Sequence, residues 1–277
     1  MDLRTVQDQM GFMVQVPPKP RRIVSLVPSI TEYLHDLGLE DYLVGITKFC
    51  VHPPHYLQTK TRVGGTKNFK VELIRSLHPD LIVANKEENE KEKLLHLKNA
   101  GLPVWISDVT DYNSALDMML RLGDVCGVPE TAQSLVKDVQ KARKWLKTPE
   151  SKIPVAYLIW RRPFMTVNRN TFIHHMMAMA GMENVFAGHE ARYPEISTED
   201  LQAASPSLVI LSSEPYPFSE KHFEELEKIV PQAYLFLADG EMFSWYGSRM
   251  LQAFDYLEMV RKQVVEPIRT AWARESK

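Results

Sequence analysis

RIVSLVPSITEYLHDLGLEDYLVGIT, residues 22–47, decides the fold. Its first apolar run, RIVSLV (22–27), and its last, LVGIT (43–47), have the length and β-branched content of short buried strands. Between them Ile30–Leu37 carries apolar residues at helical spacing. Strand, helix, strand is the unit from which parallel sheets are built.

Outward from that unit the pattern continues. LIVAN (81–85) and VWISD (104–108) read as two further strands, and 71–77 and 90–100 as the helices between them. A second series follows: VAYLIW (155–160), LVILS (208–212) and AYLFLA (233–238), interleaved with helical stretches at 171–180, 198–204, 219–229 and 249–264. Strands alternating with helices predict an α/β chain with central parallel sheets covered on both faces. Two series predict two lobes, and 277 residues suffice for two cores.

VPETAQSLVKDVQKARKWLK (128–147) joins the series. Ala132, Leu135, Val136, Val139, Ala142 and Leu146 share one face, and Pro129 suits a helix start. Lys and Arg crowd the last turns, where they complement the dipole. A flexible linker would be rich in Gly and Ser, so the expected connector is a stiff helix of about five turns. The expected organisation is an N-terminal extension (1–20), a first lobe (21–127), the linking helix (128–148) and a second lobe (149–277).

An internal repeat supports two lobes. Glu72 precedes Pro79 by seven residues in VELIRSLHPDLIVAN, and Glu199 precedes Pro206 by seven in TEDLQAASPSLVILS. In both, an acid opens a short helix, a proline ends it and a Leu-led strand follows.

Composition narrows the function classes. A net charge of −2 gives no global field toward nucleic acid or an anionic membrane. Cys50 and Cys126 are too few for a disulfide framework and lack metal-ligand spacing. No apolar run approaches the roughly 20 residues of a membrane span. The first residues contain neither an apolar leader core nor an early cysteine, so the expected compartment is the cytosol if Met1 is the native start.

The order and spacing of these segments resemble the cobalamin- and siderophore-binding receptors of ABC importers, the helical-backbone metal receptors. The resemblance is carried by residues 17–47, by GITKFCVHPP (45–54), RVGGTKNFKVELIRSLHPDLIVA (62–84) and LKNAGLPVWISD (97–108), and by ISTEDLQAASPSLVIL (196–211) and FSWYGSR (243–249). It implies two Rossmann-like lobes bridged by one long helix, with a metal chelate held in the cleft between them. The implied ligand is a cobalt corrinoid or a ferric chelate, carried as cargo, with no cofactor of the protein's own. The implied partner is an ABC permease dimer, engaged by Glu72 and Glu199. The receptor itself is expected to be a monomer without enzymatic activity, periplasmic or at the cell surface by family role. The residue-level alternative for both acids is that they favour helix N-termini.

Ligands of open α/β folds sit beyond the carboxyl ends of strands. Phe49 takes the place of a cleft aromatic in the resembled family, and a cysteine at the Cys50 place recurs in its corrinoid-like branch. Val51 stands where the family often has an acid. His52 is placed to approach the metal of a bound chelate, and Asn85 leaves the third strand. Arg161 and Arg162 follow VAYLIW, where two guanidiniums could grip a carboxylate or phosphate, the alternative being a solvated, ion-paired doublet. By resemblance Tyr193, Trp245 and Tyr246 also face the ligand.

Catalytic and metal patterns are weak. His174 and His175 are adjacent in a helix and point about 100° apart, so one should be buried and the other exposed. His52 and His55 flank Pro53-Pro54, and His52 is the one candidate base if the chain were a chelatase-like enzyme on the same architecture. Residues 64–68, GGTKN, lack both nucleotide-loop spacings and read as a turn. The remaining alternative is a cytosolic corrinoid or tetrapyrrole carrier or sensor.

Overall fold

The structure is a computed structural model and describes residues 2–149 and 151–275; Met1, on which the compartment reading turns, lies outside them. The chain forms two compact units: one of residues up to Val109, Asn113–Val139 and Trp245–Arg249, the other of Thr110–Tyr112, Gln140–Ser244 and residues from Met250 on.

The first unit contains strands β1 (Arg4–Gln7), β2 (Met13–Val16), β3 (Ile23–Ser25), β4 (Leu43–Ile46), β5 (Thr61–Arg62), β6 (Leu81–Asn85) and β7 (Val104–Ser107). The last five form one parallel sheet in the order β5-β4-β3-β6-β7. β3, β6 and β7 are buried at every position, the expected result when helices cover both faces. On one face Val24, Ile82, Ala84, Val104 and Ile106 pack with Ile74, Leu94 and Leu97 of helices Val71–Ser76 and Lys91–Asn99. Helices Pro28–Asp36 and Tyr112–Val125 also contribute: the Tyr33 hydroxyl donates to the Met119 carbonyl at 2.7 Å.

Residues 1–20, expected as an extension, instead include an antiparallel hairpin of β1 and β2. The buried Asp8 builds its turn, accepting from the Met10 and Phe12 amides, and ties it to β7 through the Ile106 amide. Burial raises the Asp8 carboxyl above its ordinary range, against the pull of its backbone donors and Lys98.

The second unit contains β8 (Ile153–Leu158), β9 (Phe164–Met165), β10 (Met182–Asn184), β11 (Glu195–Ile196), β12 (Leu208–Ser212) and β13 (Tyr234–Ala238). Its parallel sheet runs β10-β8-β12-β13, and β9 pairs antiparallel with β11. Ala156, Leu158, Val209 and Leu211 pack under Leu201 and Leu226 of helices Thr198–Ala204 and Phe223–Ile229. The helix at the join spans Pro129–Arg143, four turns rather than five. Residues 144–147 close it with i→i−3 bonds from Lys144, Trp145 and Leu146.

The internal repeat extends to the backbone. Glu72 and Glu199 each occupy the second position of their helix. His78 and Ser205, each just before the proline, both take left-handed φ, at 47° and 44°. β6 and β12 each begin two residues after it.

Candidate functional site

Strand order locates the sites for ligands. In the first sheet the chain winds outward through β4 and β5, then returns to the other side of β3 to lay down β6 and β7. In the second, β10 lies on one side of β8, and β12 and β13 on the other. Crevices form where the winding reverses, beyond the carboxyl ends of the two strands involved. Those ends are Ser25 and Asn85 in the first unit, and Leu158 and Ser212 in the second.

In the first unit, the loop after β4 turns on Cys50. Its amide donates to the Thr47 carbonyl, and its sulfur lies 3.0 Å from the Thr31 hydroxyl and 3.2 Å from that of Thr47. Cys50 is fully buried, and burial pushes its thiol pKa up. Expected at the ligand, it is an internal anchor instead. The anchor turns its neighbours outward: Phe49 is 49% exposed and Val51 37%. The Lys48 ammonium lies 4.9 Å from the Phe49 ring centroid, a cation–π distance.

Asn85, also expected at the ligand, frames the loop that leaves β6. It is buried, its amide donates to the Ser107 carbonyl and hydroxyl, and its side-chain oxygen accepts from the Glu87 and Glu88 amides. The next residue, Lys86, reaches Asp108 at 2.7 Å.

Residues 245–249 arrive from late in the chain and join the first unit. Gly247 adopts φ +95°, and a Cβ there would meet the Tyr33 side chain at 3.2 Å, so only glycine fits easily. Trp245 and Tyr246, expected as open aromatic walls, are 6% and 5% exposed. The Trp245 ring meets His52 edge-on at 5.5 Å, and the Arg249 guanidinium stands 5.4 Å from it. The Tyr246 hydroxyl reaches Glu88 at 3.4 Å, and burial holds it well above the ordinary phenol range. Arg249 grips Glu32 with two bonds, 2.9 and 2.6 Å, both side chains being mostly buried. Burial still raises the Glu32 carboxyl above its usual value, against that pull. Arg249 and Glu32 escaped sequence reading because a pair separated by 217 positions carries no local signal.

In the second unit the arginine doublet divides. Arg161 bonds Glu225 at 2.6 Å, which holds its charge on a partner. Arg162 is exposed, adopts φ +64°, and has no ion-pair partner among the described residues. Of the two guanidiniums expected to grip an anion, Arg161 is thus engaged with a carboxylate. Beside it Trp160, read as a strand residue, lies past the end of β8 and is 40% exposed. Its ring meets Tyr216 edge-on at 5.6 Å, and the Tyr216 amide donates to the Ile159 carbonyl. This aromatic pair spans the loops that leave β8 and β12, where the winding reverses. Tyr193 is 39% exposed.

His174 and His175 are both half-buried, not one in and one out, and burial lowers both pKa values. Among the described residues no group of three or more His, Cys, Asp or Glu could hold a metal ion. Glu72 is 76% exposed with Arg75 at 3.1 Å, and Glu199 is exposed, its carboxyl held below the usual range by its own backbone amide and by Thr198.

Known proteins resemble the chain over most of its length. A vitamin B12-binding protein of Vibrio cholerae is 28% identical over 199 residues, 71% of this chain and 72% of that protein. One from Pectobacterium carotovorum is 25% identical over 84% of this chain and 86% of its own. Among solved structures, the periplasmic vitamin B12 binding protein of Vibrio cholerae superposes with a TM-score of 0.76 at 23% identity, over 89% of this chain and 98% of that one. The periplasmic heme-binding protein of Roseiflexus sp. RS-1 gives 0.75 at 24%, over 87% and 97%. These structural likenesses show the fold. The family profile of periplasmic binding proteins matches residues 23–231, three quarters of the sequence, and the chain belongs to that family.

Proposed function

We propose that this chain captures a metal chelate, a corrinoid in the first instance, and delivers it to an ABC importer, with Glu72 and Glu199 as its docking charges. The observation that carries delivery is the acid pair. Two exposed carboxylates stand at the same helix position, ahead of the same left-handed residue, proline and strand, one in each unit. A partner with two-fold symmetry presents two equivalent sites, and a duplicated acid is what such a partner can use.

Phe49 in the first unit, and Trp160, Tyr193 and Arg162 in the second, are the groups we assign to the chelate, because each offers exposed aromatic area or, for Arg162, a cation with no ion-pair partner among the described residues. The vitamin B12-binding names of the relatives favour a corrinoid. Haem is the second reading, favoured by the half-exposed His52. An enzyme would need a base here, and His52 is the one candidate that its loop offers. The compartment we assign is the periplasm or cell surface, by family role, and the working form is a monomer.

Reversal of each acid, Glu72→Lys and Glu199→Lys, singly and together, tests delivery with the cognate permease in proteoliposomes. Each single change should reduce chelate uptake by about tenfold, and the double change more, with chelate affinity unaltered. Full uptake by the double variant would remove the docking assignment.

A further inference from the structure

The end of the linking helix carries a feature that chelate binding and permease docking leave unused. Within residues 141–152, KARKWLKTPESK, five cations (Lys141, Arg143, Lys144, Lys147, Lys152) stand against one carboxylate, Glu150. This local surplus is set in a chain whose net charge is −2. In its midst Trp145 is 72% exposed, more than any other large hydrophobic residue described.

The turn that displays it is fixed, not loose. Leu146, next to Trp145, is buried to 2% and anchors the turn in the second unit. Arg143 donates to the Leu146 carbonyl at 2.8 Å and to the Thr148 hydroxyl at 3.3 Å. Thr148 in turn donates to the Met179 carbonyl, and the Lys147 amide to Glu258. Arg143 is thus used in holding the turn, whereas Lys141, Lys144 and Lys147 are exposed with no ion-pair partner among the described residues. The nearby Glu258 carboxylate is already held by Arg261 and Lys262. This turn projects one indole between ammonium groups that have no ion-pair partner among the described residues, and so leaves apolar area in water.

We propose that this turn is a docking surface for an anionic phospholipid bilayer. Tryptophan settles at the level of lipid headgroups, with its ring among the upper acyl carbons and its N–H toward water. Lysines around it meet the headgroup phosphates, each adding a salt-screened attraction. Nucleic acid would also attract the cations, but a single exposed aromatic offers one stacking platform and no track for successive bases. Such a contact would be weak and reversible, since one indole and three lysines fall far short of an inserted helix. It would keep the protein near a membrane surface without occupying either docking acid.

The test is flotation of the full chain with vesicles of phosphatidylcholine alone and of phosphatidylcholine mixed with phosphatidylglycerol. The wild-type chain should float with the phosphatidylglycerol vesicles, and raised salt should release it. Lys144→Glu and Lys147→Glu should each weaken binding about fivefold or more, and Trp145→Ser roughly tenfold. All three positions are exposed, so the thermal midpoints of the variants should match wild type, separating lost docking from lost folding. Absence of flotation would overturn the proposal, as would equal binding to both vesicle types. Binding that survives all three substitutions would place the membrane contact elsewhere and overturn it as well. Retention on single-stranded DNA without vesicle binding would assign the surface to a different polyanion.

Discussion

At the scale of single residues, two neighbours in one loop have opposite duties. Cys50 holds the loop after β4 from inside, and Phe49 is turned out by it. Phe49→Ala should therefore weaken chelate binding by about tenfold and leave the thermal midpoint unchanged, a split that calorimetric titration and a melting curve read together. Asn85→Ala should do the reverse. It removes the side-chain oxygen that accepts from the Glu87 and Glu88 amides and the donor to Ser107, for a loss of about 1–3 kcal/mol in urea unfolding.

These positions mark the limit of what the sequence disclosed. Aromatics and arginines beyond strand ends were legible from residue type and place, and of these Phe49 and Arg162 are exposed. Whether a given loop residue points outward depends on turn hydrogen bonds, and those hid the burial of Cys50, Asn85, Trp245 and Tyr246. Trp160 was passed over because a run of apolar letters does not reveal that β8 stops at Leu158.

At the scale of elements, the buried strands were readable with uneven bounds: LIVAN and LVILS match β6 and β12 in full, whereas RIVSLV overruns β3 and VAYLIW runs two residues past β8. Continuous apolar runs bounded by turn residues have few other structures open to them. The N-terminal hairpin was missed because its turn is built by the Asp8 side chain and lacks a two-residue Asn-Gly signature. Helix Thr198–Ala204 begins with a reciprocal capping box between Ser197 and Asp200. Ser197→Ala should lower stability by about 1 kcal/mol, and by disturbing the turn that carries Glu199 it should also lower uptake.

Farther along, Arg261 ties Glu258 and Glu266 together, and its bonds hold the Glu258 carboxyl down to about 2, from an ordinary 4.5. A carboxyl depressed on folding stabilises the folded state above its unfolded pKa, and that contribution is lost as pH falls toward the folded value. The melting temperature should therefore decline between about pH 4.5 and 2 more steeply in wild type than in Glu258→Gln. Parallel curves would mean that the pair contributes nothing to acid stability.

At the scale of the whole molecule, two α/β units with parallel sheets, a helix at the join and a repeated acid–proline–strand segment follow from the alternation of strands and helices along the chain. The repeat was visible in the letters because duplicated local structure leaves duplicated spacing. The identity of the cargo was not, since it depends on how a few exposed side chains are arranged in space. The most direct measurement is calorimetric titration of the purified chain with cyanocobalamin, alongside cobinamide, haem and a ferric siderophore. The account predicts sub-micromolar, one-to-one binding of a corrinoid that Phe49→Ala or Arg162→Ala weakens. Absence of binding to all four chelates would contradict it.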